Sequence, residues 1–268
     1  MGMARAKAEP EGQAIVIPPL RTGKVKVWIR GESPLIFNCM SEKARRELLY
    51  PKGRKTAADK ASSLKHEPME EYRNSVYRYR DDEGPTRLHL PATAIKGALM
   101  TAALEIEGVK KAQIGRLVWV KGYNVPVWGV TDMFMAVVRS ADMNRTPDIR
   151  TRAIVPEWCA CAEIQFVEPV VNETTIARLL AMAGVVVGVG DYRQEKGKGN
   201  FGQFSLCEEA DVKALIKSGA RKAQDAALES CPHYYDVETE NLYEWYVTER
   251  KARGEKNKTQ AAKAAAAG

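Results

Sequence analysis

The sequence predicts an α+β domain whose core runs strand, helix, strand, strand, helix, strand. Three observations carry that expectation. Residues 24–31 (KVKVWIRG) alternate, with Val25, Val27 and Ile29 on one side and Lys24, Lys26, Trp28 and Arg30 on the other, as in a half-buried strand. Residues 91–106 and 172–187 place apolar residues at helical spacing: Ile95, Leu99, Ala102, Ala103 and Ile106 in the first, Ile176, Leu179, Leu180 and Ala183 in the second. Short strand-like runs at 116–121, 125–129, 151–167 and 201–206 fill the remaining places. That order is the ferredoxin-like (RRM-like) βαββαβ pattern. It makes residues 23–207 a palm with an inserted thumb-like hairpin, followed by a C-terminal helical extension.

Taken in order, residues 1–22 are polar and end in Pro18-Pro19, which predicts a flexible arm. Residues 41–49 (SEKARRELL) predict a helix with Ser41 as its N-cap. Residues 50–86 are highly charged and aperiodic, the composition of a long insertion or loop. A short strand at 87–90 leads into the helix of 91–106, for which Thr93 is the candidate cap. Gly97 inside that helix costs about 1 kcal/mol relative to Ala and points to close packing or the approach of another chain. Residues 130–150 mix apolar and basic residues around Asn, Thr and Pro and predict the projecting thumb; Pro156 marks a bend, and Asn172 caps the second helix. Residues 208–252 predict one or two helices broken at Cys231-Pro232, and the low-complexity tail 253–268 predicts fraying or disorder.

With 268 residues and 45% hydrophobic composition, the chain is long enough for one large domain or two small ones. It has no apolar run of the roughly 20 residues a bilayer span needs, no signal-peptide pattern and no myristoylation site, so a cytoplasmic protein without a membrane partner is expected. Five irregularly spaced cysteines imply no disulfide framework. Cys159 and Cys161 share one strand face, but no second ligand pair lies near to complete a zinc site, so no metal and no cofactor are expected. The net charge of +7, from 41 Lys and Arg against 34 Asp and Glu, suits an anionic partner and equally an ordinary soluble surface.

Four segments carry chemistry. In 188–204 (GVGDYRQEKGKGNFGQF), Gly197, Gly199 and three further glycines alternate with Arg193, Lys196 and Lys198. Glycines let amides approach a phosphate, the cations neutralise it, and Phe201 and Tyr192 offer stacking faces. The alternative is a surface loop with glycine turns. No GKS or GKT ending makes it a P-loop. In 89–103, Lys96 lies one turn into a helix whose N-terminus favours anions, or on a solvated face. On the first strand, Trp28 among Lys24, Lys26 and Arg30 reads as a stacking platform or as the solvent side of a sheet. In 130–152, Met133, Phe134 and Met135 sit near Arg139, Arg145, Arg150 and Arg152, either as wedges between bases held by arginines or as core.

Two of these segments together resemble the RAMP superfamily. LPATAIKGALM (Leu90–Met100) resembles its helix start, with Ala92-Thr93-Ala94 in place of the family's Gly-Ser-Ser, and Gly188–Phe204 resembles its C-terminal glycine-rich loop. The opening KVKVWIRGESPLIFNCMSEKARREL is similar to the first strand and helix of the Cas-seven-type backbone subunits of CRISPR effector complexes, and the likeness covers most of residues 24–206. The resemblance implies copies packed head to tail along a guide RNA, with a complementary target strand and other effector subunits as further partners. By position it implies that Lys96 meets the guide backbone, that Gly197, Lys198 and Gly199 lie against core and RNA, that Met133 to Met135 separate bases, and that Ser41, Lys43, Arg45 and Arg46 touch phosphates. Relatives that cut target RNA carry an Asp in the loop after the first strand; GESPLIFNCM has Glu32 and no Asp, which implies a non-catalytic subunit.

The competing readings are a guide-RNA-processing endoribonuclease of the same superfamily, a single-stranded DNA-binding or annealing protein of a phage or plasmid, and a structural protein with an incidental basic patch. A nuclease needs a general base, and of His66, His89 and His233 it is His89 that lies beside a motif. No GxSxG, HExxH or acidic metal cluster is present.

Overall fold

The structure is a computed structural model that describes residues 19–50, 66–81, 83–139, 147–196, 199–231 and 233–266. The first strand, β1 (Arg21–Gly31), keeps the alternation of its sequence: Ile29 is buried while Lys24, Lys26 and Arg30 are exposed. It is followed by the two-residue β2 (Leu35–Ile36) and by helix α1 (Glu42–Leu49), where Ser41 Oγ accepts from the Ala44 N–H as the cap requires. Within the charged insertion a helix forms, α2 (Pro68–Asn74), with Pro68 at its first position; it buries Tyr72, whose hydroxyl meets Thr131 Oγ1 at 2.6 Å and the Ala227 carbonyl at 3.1 Å.

β3 (Leu88–Pro91) leads directly into α3 (Ala92–Ala102), so Pro91 occupies the cap position expected of Thr93. The run RLVWVK divides: α4 (Lys111–Leu117) takes its first residues and β4 (Val118–Val120) the rest. β5 (Asn124–Trp128) follows. β4 and β5 pair with the same strand, and the register slips across Lys121–Tyr123, so the two are one strand interrupted by a bulge. The segment in which the sequence predicts a projecting thumb holds two antiparallel strands of one hairpin, β6 (Asp132–Arg139) with β7 (Pro147–Val155). The chain bends at Pro156 into β8 (Cys159–Glu168), then α5 (Glu173–Val186), capped by Asn172, and β9 (Phe204–Cys207). Helices α6 (Lys213–Ser218), α7 (Arg221–Ser230) and α8 (Val237–Ala266) complete the described chain. The expected break is present between α7 and α8. Helix α8 runs on past residue 252, where disorder was expected: its Ala- and Lys-rich sequence has high intrinsic helix propensity.

Two antiparallel sheets result. The larger has the order β3-β5-β8-β1-β9, with β4 also on β8; the smaller is β2-β7-β6. Helices α3 and α5 pack side by side on one face of the larger sheet, burying Ile95, Leu99, Ile176 and Leu180 against Val118, Val127, Ile164 and Phe166. The fold is therefore mixed α+β with the helices on one sheet face. The C-terminal segment closes the outer edge of β6: Met133 donates to the His233 carbonyl at 3.1 Å, Tyr235 to the Met133 carbonyl at 2.9 Å, and Met135 to Thr239 Oγ1 at 3.1 Å. No helix among the described residues is long and apolar enough to cross a membrane.

Gln224 of α7 is wholly buried and uses its amide in full. Its oxygen accepts from the Arg87 and Leu88 amides at 2.7 and 3.1 Å, and its nitrogen donates to the Val127 and Gly129 carbonyls at 2.8 and 3.1 Å. Gln224→Leu removes the side-chain partner of four backbone groups, and such groups cost about 1–3 kcal/mol each when they stay dry and unpaired. A loss of about 2–5 kcal/mol is expected, read from the urea midpoint at constant slope.

Candidate nucleic-acid interface

The described part of the glycine-rich segment folds on itself and on the chain around β2. Val189 donates to the Gly202 carbonyl at 2.9 Å, Phe201 to that of Tyr192 at 3.3 Å, Gly202 to Pro34 at 2.8 Å and Asp191 to Ile36 at 3.0 Å. A Cβ on Gly199 would stand 1.5 Å from the Tyr192 carbonyl oxygen, and one on Gly202 1.7 Å from that of Val189. These two glycines are there because two stretches of the chain's own backbone touch, which corrects the expectation that the missing side chains admit a phosphate.

The hairpin lies against this loop. Phe134 and Arg152 are cross-strand partners and share one face. Arg152 pairs with Asp191 of the loop, and its guanidinium lies 5.8 Å from the centre of the Tyr192 ring. Phe134 meets Phe201 at 6.2 Å between ring centres and Tyr235 edge-on at 5.5 Å. Arg193 donates to Glu195 at 2.8 Å and to the Gly190 carbonyl at 3.1 Å. Arg152 and Arg193 are thus engaged inside the protein, holding the loop in place. Met133 points to the opposite face and is fully buried in the core, with Met135 packed beside it. Of the three residues expected to separate bases, Phe134 has a partly open ring; Met133 is core because alternation turns it inward.

Between the α1 start and β7 runs a cleft of about 680 Å³, whose walls carry Ser41, Arg150 and Arg152 together with the carboxylates Glu67, Glu70, Glu71 and Asp148. Its floor holds an arrangement that no local pattern announces. His66 Nδ1 lies 2.8 Å from Glu71 Oε1 and Nε2 2.9 Å from Asp148 Oδ1, and Glu71 also accepts from the Thr151 amide at 3.1 Å. Both ring nitrogens donate to these carboxylates when the imidazole carries two protons. Arg150, with a 56% exposed side chain, sits 3.3 Å from Asp148 and leaves its outer face to solvent. Arg45 and Arg46 are exposed on α1, where Arg45 donates to Cys39 Sγ at 3.0 Å and Arg46 pairs with Glu42. Arg139 is exposed at the end of β6. Arg145, Gly197 and Lys198 lie outside the described residues, as do the side chains of Lys43 and Lys196.

Lys96 stands apart from this cleft, half-buried on the outer side of α3, with no hydrogen bond or ion pair among the described residues. Beside it, a Cβ on Gly97 would meet nothing within 4 Å, so no packing among the described residues explains that glycine. His89 is buried between the rings of Tyr79 and Tyr77 at 4.7 and 5.9 Å, and its Nδ1 has no hydrogen-bond partner among the described residues. Burial also lowers its basicity. That is the setting of a packed ring rather than an accessible general base.

Cys159 and Cys161 line the other face of the large sheet near Trp28 and Trp128. No group of three His, Cys, Asp or Glu suited to a metal occurs among the described residues. Burial pushes the Cys159 thiol up to about 12 and that of Cys161 to about 11, from the ordinary 9.0. The folded protein holds these protons where the unfolded chain releases them, so stability falls as pH rises above about 9. The urea midpoint is expected to decline between pH 8.5 and 10.5, with a shallower decline in Cys159→Ala. Arg152→Ala is expected to free the glycine loop, seen as faster hydrogen exchange at the Val189, Asp191, Phe201 and Gly202 amides with little change in the α3 and α5 amides.

No family model and no curated protein matches the chain. Among solved structures it is similar to a chain in the cryo-EM structure of the Type III-B Cmr-beta bound to cognate target RNA, at 13% identity and a TM-score of 0.35, over 70% of this chain and 59% of that one. It is also similar to Cmr6 from Pyrococcus furiosus, at 9% identity and a TM-score of 0.34, over 70% of this chain and 98% of that one. The chain therefore spans less than two thirds of the first of these.

Proposed function

We propose that this protein is an RNA-binding backbone subunit of a CRISPR-type ribonucleoprotein that polymerises along a guide RNA without cutting it. The observation that carries the proposal is the meeting of three segments singled out separately in the sequence. The α1 start, the β6–β7 hairpin and the glycine loop adjoin through the cleft and through the Arg152–Asp191 and Phe134–Phe201 contacts. The strand order β5-β8-β1-β9, with α3 and α5 as the two crossover helices, supports reading the sheet as a ferredoxin-like palm and the hairpin as its thumb.

In this reading Arg45, Arg46 and Arg150 meet phosphates, Phe134, Phe201 and Tyr235 offer ring faces to bases, and Arg152 and Arg193 keep the loop in register with the thumb. Lys96 and the open surface at Gly97 receive the same strand further along, or the neighbouring copy. The burial of His89 supports a subunit that binds rather than cleaves.

Binding of a labelled single-stranded RNA and of the DNA of the same sequence, each at several salt concentrations, tests the proposal. Arg45→Glu/Arg150→Glu is expected to weaken RNA binding at least tenfold and to reduce the salt slope by about 1–2. Affinity unchanged by that pair rejects the cleft; equal or better binding of the DNA favours the single-strand DNA reading. Sizing with a long RNA is expected to give a ladder of assemblies, since head-to-tail contacts do not close; a strict monomer on RNA rejects polymerisation.

A further inference from the structure

The face of the large sheet turned away from α3 and α5 carries a second array that shares no residue with the cleft. Register sets its side chains in rows. Lys24 of β1, Gln165 of β8 and Trp119 of β4 stand abreast. Lys26 and Glu163 form the next row, completed by Lys121, whose amide donates to the Glu163 carbonyl at 2.8 Å. Trp28 and Cys161 form the third. This last row is roofed: Trp28 packs on Trp128 at 5.1 Å between ring centres, in a small cluster that includes Val212, Leu215 and Ile216. The first two rows stay open. Lys24 is exposed, and the Lys26 and Lys121 side chains are 61% and 57% exposed.

Trp119 is the informative residue. Its strand neighbours Val118 and Val120 face the core, so alternation turns the indole outward. Its one polar atom is already used, with Nε1 donating to Gln165 Oε1 at 2.8 Å. That bond fixes the ring across the neighbouring strand and leaves an indole face partly open. Strands lie about 4.8 Å apart, so Trp119 and Lys24, separated by β8, stand roughly 10 Å from one another. The lysines have carboxylate partners, Lys121 with Glu163 at 3.0 Å and Lys26 with Glu209 at 3.8 Å. Both pairs are solvent-exposed and contribute little, so a phosphate displaces them at small cost. Three lysines against two glutamates, around an anchored ring, favour an anion that also carries a flat ring.

We propose that this open sheet face binds single-stranded nucleic acid, stacking a base on Trp119 while Lys24, Lys26 and Lys121 hold the adjoining phosphates. This face and the cleft share no residue, so substitutions at Trp119 and at Arg45 and Arg150 report on the two sites separately.

The probes are a labelled oligouridylate and an abasic strand of equal length, each bound to the full chain and to variants. The wild type is expected to prefer the base-containing strand. Trp119→Leu should weaken that strand about 5- to 100-fold and leave the abasic strand unchanged, while Trp119→Phe keeps most of the preference. Lys24→Glu/Lys121→Glu, two surface changes that spare the core, should weaken both strands and decides the matter if Trp119→Leu does not fold. Arg45→Glu/Arg150→Glu reports on the cleft alone: its failure to act would reject the cleft and leave the Trp119 effect standing. No preference for bases in the wild type, or oligouridylate affinity unaltered in both Trp119→Leu and the lysine pair, overturns the proposal.

Discussion

The two-residue strand Leu35–Ile36 is the piece on which the rest of the site depends. On one side it pairs with β7, Leu35 opposite Val155 and Ile36 opposite Ile154. On the other, the Ile36 carbonyl accepts from Asp191, and the Pro34 carbonyl just before the strand accepts from Gly202. A short backbone wedge therefore joins the smaller sheet to the glycine loop, and both of its edges are occupied. Backbone pairing of this kind demands close approach, which is why glycine stands at 190 on the loop side, where a Cβ would lie 2.6 Å from the Ile36 carbonyl oxygen. Once the wedge is set, Arg152 and Phe134 of the hairpin fall within reach of Asp191 and Phe201 without further adjustment.

Much of the architecture was legible because its causes are local. Alternation placed β1 and turned Ile29 inward, Ser41 and Asn172 announced their helices by capping them, and Pro156 marked the bend before β8. The RLVWVK run misled because its pattern is short enough to serve a helix end and a strand in succession. The glycine loop was found for a reason that proved different. A missing side chain is visible in a sequence, but whether the vacated space faces a ligand or the chain's own carbonyls is a tertiary fact. His66, Glu71 and Asp148 were illegible for a like reason. His66 and Asp148 are 82 residues apart, and an imidazole between two carboxylates leaves no spacing pattern.

The net charge of +7 says little by itself, because the structure distributes its arginines between two kinds of work. Arg152 and Arg193 face acids of the same loop and act as fasteners; Arg45, Arg46, Arg139 and Arg150 remain open to solvent. A desolvated guanidinium beside a carboxylate is a poor phosphate ligand, since it must first lose a partner of the same charge. Counting basic residues in a motif therefore overstates the cations free to meet a polynucleotide.

The buried amide of Gln224 carries an implication for biogenesis. Until that residue leaves the ribosome, the amides of Arg87 and Leu88 and the carbonyls of Val127 and Gly129 have water as their partner. Closing the sheet over its core while these groups lack a partner costs about 1–3 kcal/mol for each that stays dry. The helical segment that reads in the sequence as an appendage is thus a completing part, whose docking satisfies backbone groups of strands laid down far earlier in the chain.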